Sequence, residues 1–376
     1  MLNTSLNRGL LLAVALSLSS FTYAQQQPVS KDIEGDLSVL VLGSGGPVAG
    51  PSARASAGYL VFVRGRPRIL MDAGGGTYAR LAESGVDIKD LDIVLLSHLH
   101  IDHTGDLPAI IKSMYFKNRG ANLATGGFPP GRTAPIRIFG PAANGIPFPP
   151  QLGVDSRVAQ YPATTEYLHD HYDIETGSER YLHLFTRAIS GGIFNLTSQD
   201  VAPDWTVYHP TTLVDEDGLR ITAVGVNHGP VPALAFRIDY QGRSIVYSGD
   251  TSSSGDNMIA LAQGADLLIY DTAILDDQPA GPNDAFFFGL HTTPTRMGEV
   301  ATSAGVKHLL LSHITPVSEP ALDIVRQTVR AQGFKGKITV AEDLRVLNLD
   351  HLPRDSGWQD RRYNARGARQ IQVGRE

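Results

Sequence analysis

A buried strand that ends in a cluster of imidazoles and carboxylates is the feature that most restricts how this chain folds. Residues 93–96, Ile-Val-Leu-Leu, are apolar on both faces, which is typical of an interior strand. Directly after this run come four side chains that are able to bind metal, namely His98, His100, Asp102 and His103. Buried imidazoles and carboxylates need polar partners, and a metal ion supplies them. The spacing therefore predicts a metal centre at the end of this strand.

The composition of the chain limits the ligands to nitrogen and oxygen. The 376 residues include no cysteine, which excludes disulfides and thiolate metal sites. His98 and His100 lie two positions apart, so an extended backbone points both imidazoles to one side. Asp102 and His103 follow where the chain turns, and they are placed to reach a second ion. Ligands of this kind suit zinc, with manganese and iron as alternatives.

The two ends of the chain differ in composition from the rest. Residues 1–24 contain Arg8, an apolar run at residues 10–18 and a small-residue processing site, which predicts a cleaved secretory signal and a periplasmic or secreted protein. The apolar run is too short for a stable membrane span, and an uncleaved anchor is the alternative. Residues 25–36 form a polar linker, and the Arg-rich residues 351–376 are predicted to be a solvated extension.

Between these ends, residues 37–350 alternate strand-like and helix-like segments. The strand-like runs cluster in both halves with helices between them, which suits two packed sheets covered by helices. The stretch from about 117 to 210 is rich in Pro, Gly and aromatic residues and has weak periodicity, so we predict an insertion of short helices and loops. Its aromatic side chains form either a substrate pocket or a small core of the insertion itself: Tyr161, Tyr167, Tyr172, Tyr181 and Phe185.

The pattern His-x-His-x-Asp-His at residues 98–103 resembles the signature of the metallo-β-lactamase superfamily. Within that superfamily the chain is most similar to the tRNase Z and phosphodiesterase-arylsulfatase branch. The branch shares the runs Leu-Gly-Ser-Gly-Gly-Pro at residues 42–47 and Asp-Ala-Gly-Gly-Gly-Thr at residues 72–77. The resemblance covers about residues 37–113 and 219–350, and within the insertion residues 136–141 resemble a strand and Gly-Pro turn of the branch. It implies an α/β fold, the four-layer αββα sandwich of the superfamily.

The same resemblance implies three further metal ligands, each after a strand-like run. His228 matches the third ligand of the first metal site, Asp250 matches the carboxylate that bridges the two metals, and His313 matches the last ligand of the second site. The implied ligands of the two zinc ions are His98, His100, Asp102, His103, His228, Asp250 and His313.

Two more residues are assigned to the reaction by resemblance, beside Asp102. His291 is similar to a residue that donates a proton or anchors the leaving group in phosphodiesterase relatives, and a surface histidine capping a helix is the alternative. Asp271 falls where tRNase Z enzymes tend to carry Glu, and it is a candidate partner for His291. The remaining histidines are assigned to the surface, to substrate lining or to structure: His169, His171, His183, His209, His308 and His351.

The predicted activity is hydrolysis by a hydroxide that bridges the two metals. Residues 229–249 leave no room for the tRNA-gripping arm that tRNase Z enzymes commonly carry there. Without residues 1–24 the chain has 31 basic against 38 acidic residues, a formal net charge of −7. These features favour a small phosphodiester or sulfate ester as substrate and argue against general nucleic-acid binding, with a homodimer left open. The alternatives are a lactonase or β-lactamase-type carbonyl hydrolase, a tRNase Z-like endoribonuclease, a noncatalytic metal binder, and redox chemistry with iron.

Overall fold

The structure is a computed structural model that describes residues 29–114, 135–147, 160–183, 196–277 and 284–351. The predicted secretory signal, the Arg-rich extension after His351 and Phe185 lie outside the described residues. Within those ranges, no helix combines the length and the apolar character needed to cross a membrane.

The first of two seven-stranded sheets has the order β14-β1-β2-β3-β4-β5-β6. Neighbouring strands are antiparallel from β14 to β3 and parallel from β3 to β6. Two of its strands, β5 and β6, come from the stretch of about residues 117–210 that is predicted to be an insertion. The strands are β1 (Leu37–Gly43), β2 (Gly58–Val63), β3 (Arg66–Ala73), β4 (Ile93–Leu95), β5 (Ile136–Pro141), β6 (Leu196–Val201) and β14 (Val346–Asn348).

The second sheet has the order β13-β12-β11-β10-β9-β8-β7. Its strands are antiparallel from β7 to β10 and parallel from β10 to β13. The strands are β7 (Thr211–Glu216), β8 (Leu219–His228), β9 (Val231–Tyr240), β10 (Arg243–Tyr247), β11 (Leu267–Asp271), β12 (His308–Ser312) and β13 (Lys337–Val340).

Helices cover the outer faces of both sheets, and apolar side chains fill the space between layers. One hydrophobic cluster lies between the sheets, a second lies under the helices on the first sheet, and a third lies under the helices on the second. The predicted four-layer αββα sandwich is therefore confirmed. The helices are α1 (Thr77–Ser84), α2 (Ile101–Thr104), α3 (residues 107–114), α4 (Thr164–Tyr172), α5 (Asn257–Leu261), α6 (Asp284–Leu290), α7 (Pro294–Ser303) and α8 (Leu322–Ala331), with 3-10 turns at Val29–Asp32, Glu319–Ala321 and Leu349–His351.

One strand is longer than its sequence indicates. The sequence predicts a strand at residues 219–224, whereas β8 continues to His228 and forms a hairpin with β9 through Gly229 and Pro230. Gly225 and Asn227 weaken the apolar pattern there, but the backbone pairing with β9 continues past them. The hairpin places His228 at the last pair of the ladder, at the sheet edge where the parallel strands β10 to β12 also end.

Candidate metal centre

The structure brings the seven predicted ligands to one edge of the sandwich. The loop after β4 carries four of them, the end of β8 and the loop after β10 carry one each, and the residue after β12 is the last. Their donor atoms form two groups in which every pair lies within 4.8 Å: His98, His100 and His228 in the first group, and Asp102, His103, Asp250 and His313 in the second. Such convergence of residues that are far apart in the chain is typical of a binuclear centre.

The first group is made of three imidazoles. Nε2 of His98 lies 3.0 Å from Nδ1 of His100. The carboxylate oxygen Oδ2 of Asp250 lies 3.9 Å from Nε2 of His98 and 3.9 Å from Nε2 of His228. Among the described residues, the buried Nε2 of His228 has no hydrogen-bond partner. A cation between these nitrogens would satisfy all three at once.

The second group surrounds His313. Nε2 of this residue lies 3.2 Å from Oδ2 of Asp102, 3.2 Å from Oδ2 of Asp250 and 3.3 Å from Nε2 of His103. Asp250 thus approaches both groups, which is the position expected of a carboxylate that bridges two metals. Its Oδ1 is buried and makes no hydrogen bond within the described part of the chain.

Burial and neighbouring charges set the protonation states of these side chains. Burial lowers the pKa of His98, and it lowers the pKa of His228 to about 3, so both imidazoles are neutral in the folded protein. Burial raises the pKa of Asp250, but His313 and His103 lower it more strongly, and the carboxylate stays ionised.

Burial lowers the pKa of His103 and of His313, but the carboxylates of Asp250 and Asp102 raise both more strongly, to about 10 for His313. These two rings are therefore protonated in the metal-free fold and release a proton on binding a metal. Neutral imidazoles and ionised carboxylates are the forms that bind divalent cations, so the donor set fits a pair of such ions once these protons have left.

The outward nitrogen of most of the ligand imidazoles contacts a polar group of the sandwich. Nδ1 of His228 donates to the carbonyl oxygen of Leu290 at 2.8 Å, and Nδ1 of His313 lies 3.4 Å from Oδ1 of Asp271. Nδ1 of His98 lies 3.1 Å from Oγ of Ser97. Contacts of this kind set the tautomer of a ligand histidine and the orientation of its ring.

Asp72 has a structural role that was not predicted from the sequence. This fully buried carboxylate accepts hydrogen bonds from the backbone N of Ser97 at 2.7 Å, from Oγ of Ser97 at 2.6 Å and from the hydroxyl of Tyr247 at 2.6 Å. It also lies 2.7 Å from Nδ1 of His103. The available signal was an acidic residue between a buried strand and a run of glycines, at a place where burial demands partners. We call residues 97–104, which follow β4 and carry four of the ligands, the ligand loop. Asp72 therefore holds both the start of the ligand loop and one of its imidazoles.

His291 and Asp271 form a buried pair beside the second group. Nδ1 of His291 lies 2.8 Å from Oδ2 of Asp271 and 3.9 Å from Oδ2 of Asp250, and its ring stacks on that of His313 at a centroid distance of 5.5 Å. Burial lowers the pKa of His291, but the carboxylate of Asp271 raises it more, and the net pKa lies above its usual value. The arrangement is suited to holding a proton close to the candidate metal centre.

The histidines of the inserted stretch lie away from this centre. His169 is exposed on α4 and pairs with Asp173 at 3.5 Å, and Nδ1 of His171 donates to the carbonyl oxygen of Tyr167 at 3.1 Å. Tyr172 packs in the cluster under the helices of the first sheet, whereas Tyr161 contacts His100. The tyrosines of this stretch therefore have different surroundings.

Comparison with known proteins identifies the family. The family model of the metallo-beta-lactamase superfamily matches residues 53–296. Ribonuclease Z of Mycobacterium bovis is 28% identical over 322 residues, covering 83% of this chain and 98% of the relative. Ribonuclease Z of Mycobacterium avium is 27% identical over 324 residues, covering 84% of this chain and 99% of the relative.

Solved structures show the same fold. Human tRNase Z, short form, superposes with a TM-score of 0.58 at 20% identity, covering 83% of this chain and 99% of that one. A metallo-beta-lactamase fold protein from Bacillus subtilis superposes with a TM-score of 0.55 at 24% identity, covering 83% of this chain and 98% of that one.

These relatives correct one prediction from the sequence. The expectation of a small phosphodiester or sulfate ester substrate, with no general nucleic-acid binding, is wrong, because the curated relatives that match most of the chain are named ribonuclease Z. The net charge of a whole chain does not report the field at one site. The residues between His228 and Asp250 form only β9, β10 and short turns, so the tRNA-gripping arm is absent there. The absence of this arm affects how a substrate is held, but it does not determine which bond is hydrolysed.

The family model confirms the predicted family, and the two-sheet sandwich agrees with it. The model spans more than half of the chain and includes the loop that carries the first four ligands. The chain belongs to the metallo-β-lactamase superfamily.

Proposed function

We propose that this protein is a metal-dependent endoribonuclease of the ribonuclease Z type, which hydrolyses a phosphodiester bond in RNA. The observation that carries the proposal is the position of the His291–Asp271 pair, 3.9 Å from the shared carboxylate of Asp250, on a chain whose curated relatives are named ribonuclease Z. The pair offers a proton donor next to a centre that binds and polarises a phosphoryl group.

We propose zinc as the resident metal, since the donors are imidazoles and carboxylates without a thiolate. His98, His100 and His228 would hold one ion, Asp102, His103 and His313 the other, and Asp250 would contact both. Bound there, the two ions supply Lewis-acid polarisation of the phosphoryl oxygens and an activated water.

His291 acts at the leaving group. Asp271 accepts a hydrogen bond from Nδ1 of His291 at 2.8 Å and stabilises the protonated ring. The proton on Nε2 is then available to the departing ribose oxygen, which would otherwise leave as a high-energy alkoxide. Asp271 acts through His291, since its carboxylate is buried and fully occupied by protein contacts.

Two aromatic side chains support a nucleic-acid substrate. Phe286 and Phe287 are each 41% exposed on α6, the helix that leads directly into His291. Phe287 lies one turn before His291, because the backbone N of His291 donates to the carbonyl oxygen of Phe287 at 3.0 Å. Exposed aromatic rings near the scissile bond are suited to stacking with nucleobases.

The test is cleavage of a precursor tRNA with a 3′ trailer by the zinc-loaded protein, with and without EDTA. We expect cleavage that requires metal, and a loss of about 10²–10⁴-fold in His291→Ala at unchanged metal content. His169→Ala is the matched control, because His169 is exposed and lies outside the centre. The proposal is wrong if the wild-type protein binds two metal ions and leaves the RNA intact, or if the cleavage survives EDTA.

A further inference from the structure

A tyrosine from the inserted stretch contacts one of the candidate ligands. The hydroxyl oxygen of Tyr161 lies 3.1 Å from Nε2 of His100, and the two rings meet edge to face at a centroid distance of 5.7 Å. Both side chains are partly buried. Tyr161 precedes α4, so this contact joins the inserted stretch to the ligand loop.

His100 differs from the other ligand imidazoles in the direction of its ring. His98, His103, His228 and His313 direct Nε2 at the centre and Nδ1 at an outer partner. His100 instead directs Nδ1 at the centre, where it lies 3.0 Å from Nε2 of His98, so its Nε2 is the outward nitrogen. The partner of that outward nitrogen is the hydroxyl of Tyr161, which lies in the inserted stretch before α4.

The position of Tyr161 is set by the edge of the first sheet. Oγ1 of Thr164, at the start of α4, donates to the carbonyl oxygen of Pro141 at 3.0 Å. The backbone N and Oγ1 of Thr165 donate to the carboxylate of Asp200 at 2.9 and 2.6 Å. These bonds tie the start of α4 to β5 and β6, and the phenol is therefore held at a defined distance from the ligand loop.

We propose that Tyr161 is a positioning residue for His100. A neutral imidazole carries one N–H, so an acceptor at Nε2 leaves Nδ1 unprotonated, with its lone pair aimed at the first donor group. With the proton on Nε2, the phenol oxygen accepts a hydrogen bond from Nε2–H, which favours this tautomer and fixes the orientation of the ring. The inference rests on the metal-binding part of the proposed function and needs no RNA substrate.

The first experiment measures zinc binding by competition with a chromophoric chelator in full-length protein. We expect Tyr161→Phe to weaken one of the two zinc equivalents by about 10-fold and to leave the other unchanged, which is the scale of losses seen for outer contacts of ligand histidines. Tyr167→Phe is the matched control, because the Tyr167 hydroxyl bonds to Thr104 of the same loop and to no ligand imidazole.

The second experiment is ¹⁵N NMR of the histidine side chains in the zinc-loaded, unsubstituted protein. We expect His100 to carry its proton on Nε2 and the other four ligands to carry theirs on Nδ1. This spectrum tests the tautomer that the inference requires, and it does so even where Tyr161→Phe does not fold.

Three results would overturn the inference. They are equal zinc affinities for Tyr161→Phe and the wild type, equal losses in Tyr161→Phe and Tyr167→Phe, and a proton on Nδ1 of His100 in the loaded protein. If instead the wild-type protein binds no zinc, the proposed function fails as well, so the two failures are distinguishable.

Discussion

The carboxylate of Asp72 lies 2.7 Å from Nδ1 of His103, and neither side chain is exposed to solvent. Asp72 is at the end of β3, and His103 lies in α2 at the end of the ligand loop. The contact therefore joins the antiparallel half of the first sheet to the second donor group, and it orients Nε2 of His103 towards Asp250 at 3.4 Å.

We expect Asp72→Asn to weaken binding of the metal held by His103 by about 10–100-fold, because the amide lacks the charge that orients and polarises this imidazole. Competition with a chelator measures the loss. Tyr247→Phe is the control, since it removes one hydrogen bond to Asp72 and keeps the carboxylate. Equal zinc affinity in Asp72→Asn and the wild type would show that the contact has no part in metal binding.

Neighbouring glycines before α1 provide a matched test of packing under the ligand loop. A Cβ on Gly74 would overlap the backbone oxygen of Asp102, whereas a Cβ on Gly75 would meet nothing within 4 Å. We expect Gly74→Ala to lower the free energy of unfolding by about 1–3 kcal/mol and to weaken metal binding, because the loop has to shift. Chemical denaturation measures the change, and a loss as large in Gly75→Ala would contradict this explanation.

Metal removal is expected to lower thermal stability. The buried Nε2 of His228 and Oδ1 of Asp250 have no hydrogen bond to the described residues, so metal binding stabilises the folded state selectively. At free zinc 100 times the dissociation constant, the gain is about 2.7 kcal/mol. Calorimetry with EDTA or zinc measures it, and His98→Ala should lose most of the zinc-dependent shift. An unchanged Tm with and without zinc would be evidence against the metal centre.

The pH dependence of stability offers a test away from the metal centre. Burial, together with the positive charges of Lys337 and Arg345, lowers the pKa of His308 to about 4. The unfolded chain binds this proton near its ordinary pKa of about 6.5, so the stabilising effect of neutral His308 is present above pH 6.5 and is lost as the pH falls towards 4. We expect this residue to account for about 2 kcal/mol of stability lost between pH 7 and pH 5.

Denaturant unfolding of the wild type and of His308→Gln at both pH values measures that effect. The variant should lose less stability than the wild type over this interval. The two proteins share the same metal centre, so its own pH dependence cancels in the difference. Parallel losses in both proteins would show that His308 titrates normally in the fold.

The ligand loop could be located from the sequence because local chemistry marks it. A strand that is apolar on both faces is followed here by His98, His100, Asp102 and His103. Outside a metal centre, so many buried polar side chains would lack partners. The two-sheet sandwich was predictable for a related reason, since the apolar runs have strand length and strand spacing.

Other features depend on contacts between distant segments, which the local sequence does not specify. Asp72 receives its partners from Ser97, His103 and Tyr247, which only the folded chain brings together. The strand β5 was indicated by the resemblance of residues 136–141 to a strand of the branch, but β6 lies in a stretch with weak periodicity, and its parallel pairing with β5 was not indicated. The substrate was predicted wrongly because the prediction rested on the net charge of the chain and on the absence of an arm. Neither feature describes the few buried groups on which the reaction depends.

The carbonyl oxygen of Leu290 accepts a hydrogen bond from His228, and the next residue along the chain is His291. A single peptide unit thus links His228, in the first donor group, to His291, the residue that we propose as proton donor to the leaving oxygen. A tilt of α6 would move His291 and the carbonyl oxygen that orients His228 together, so a change in this helix reaches both residues. Engineering of substrate preference through α6 therefore has to preserve the backbone at this unit and confine its changes to the outward rings.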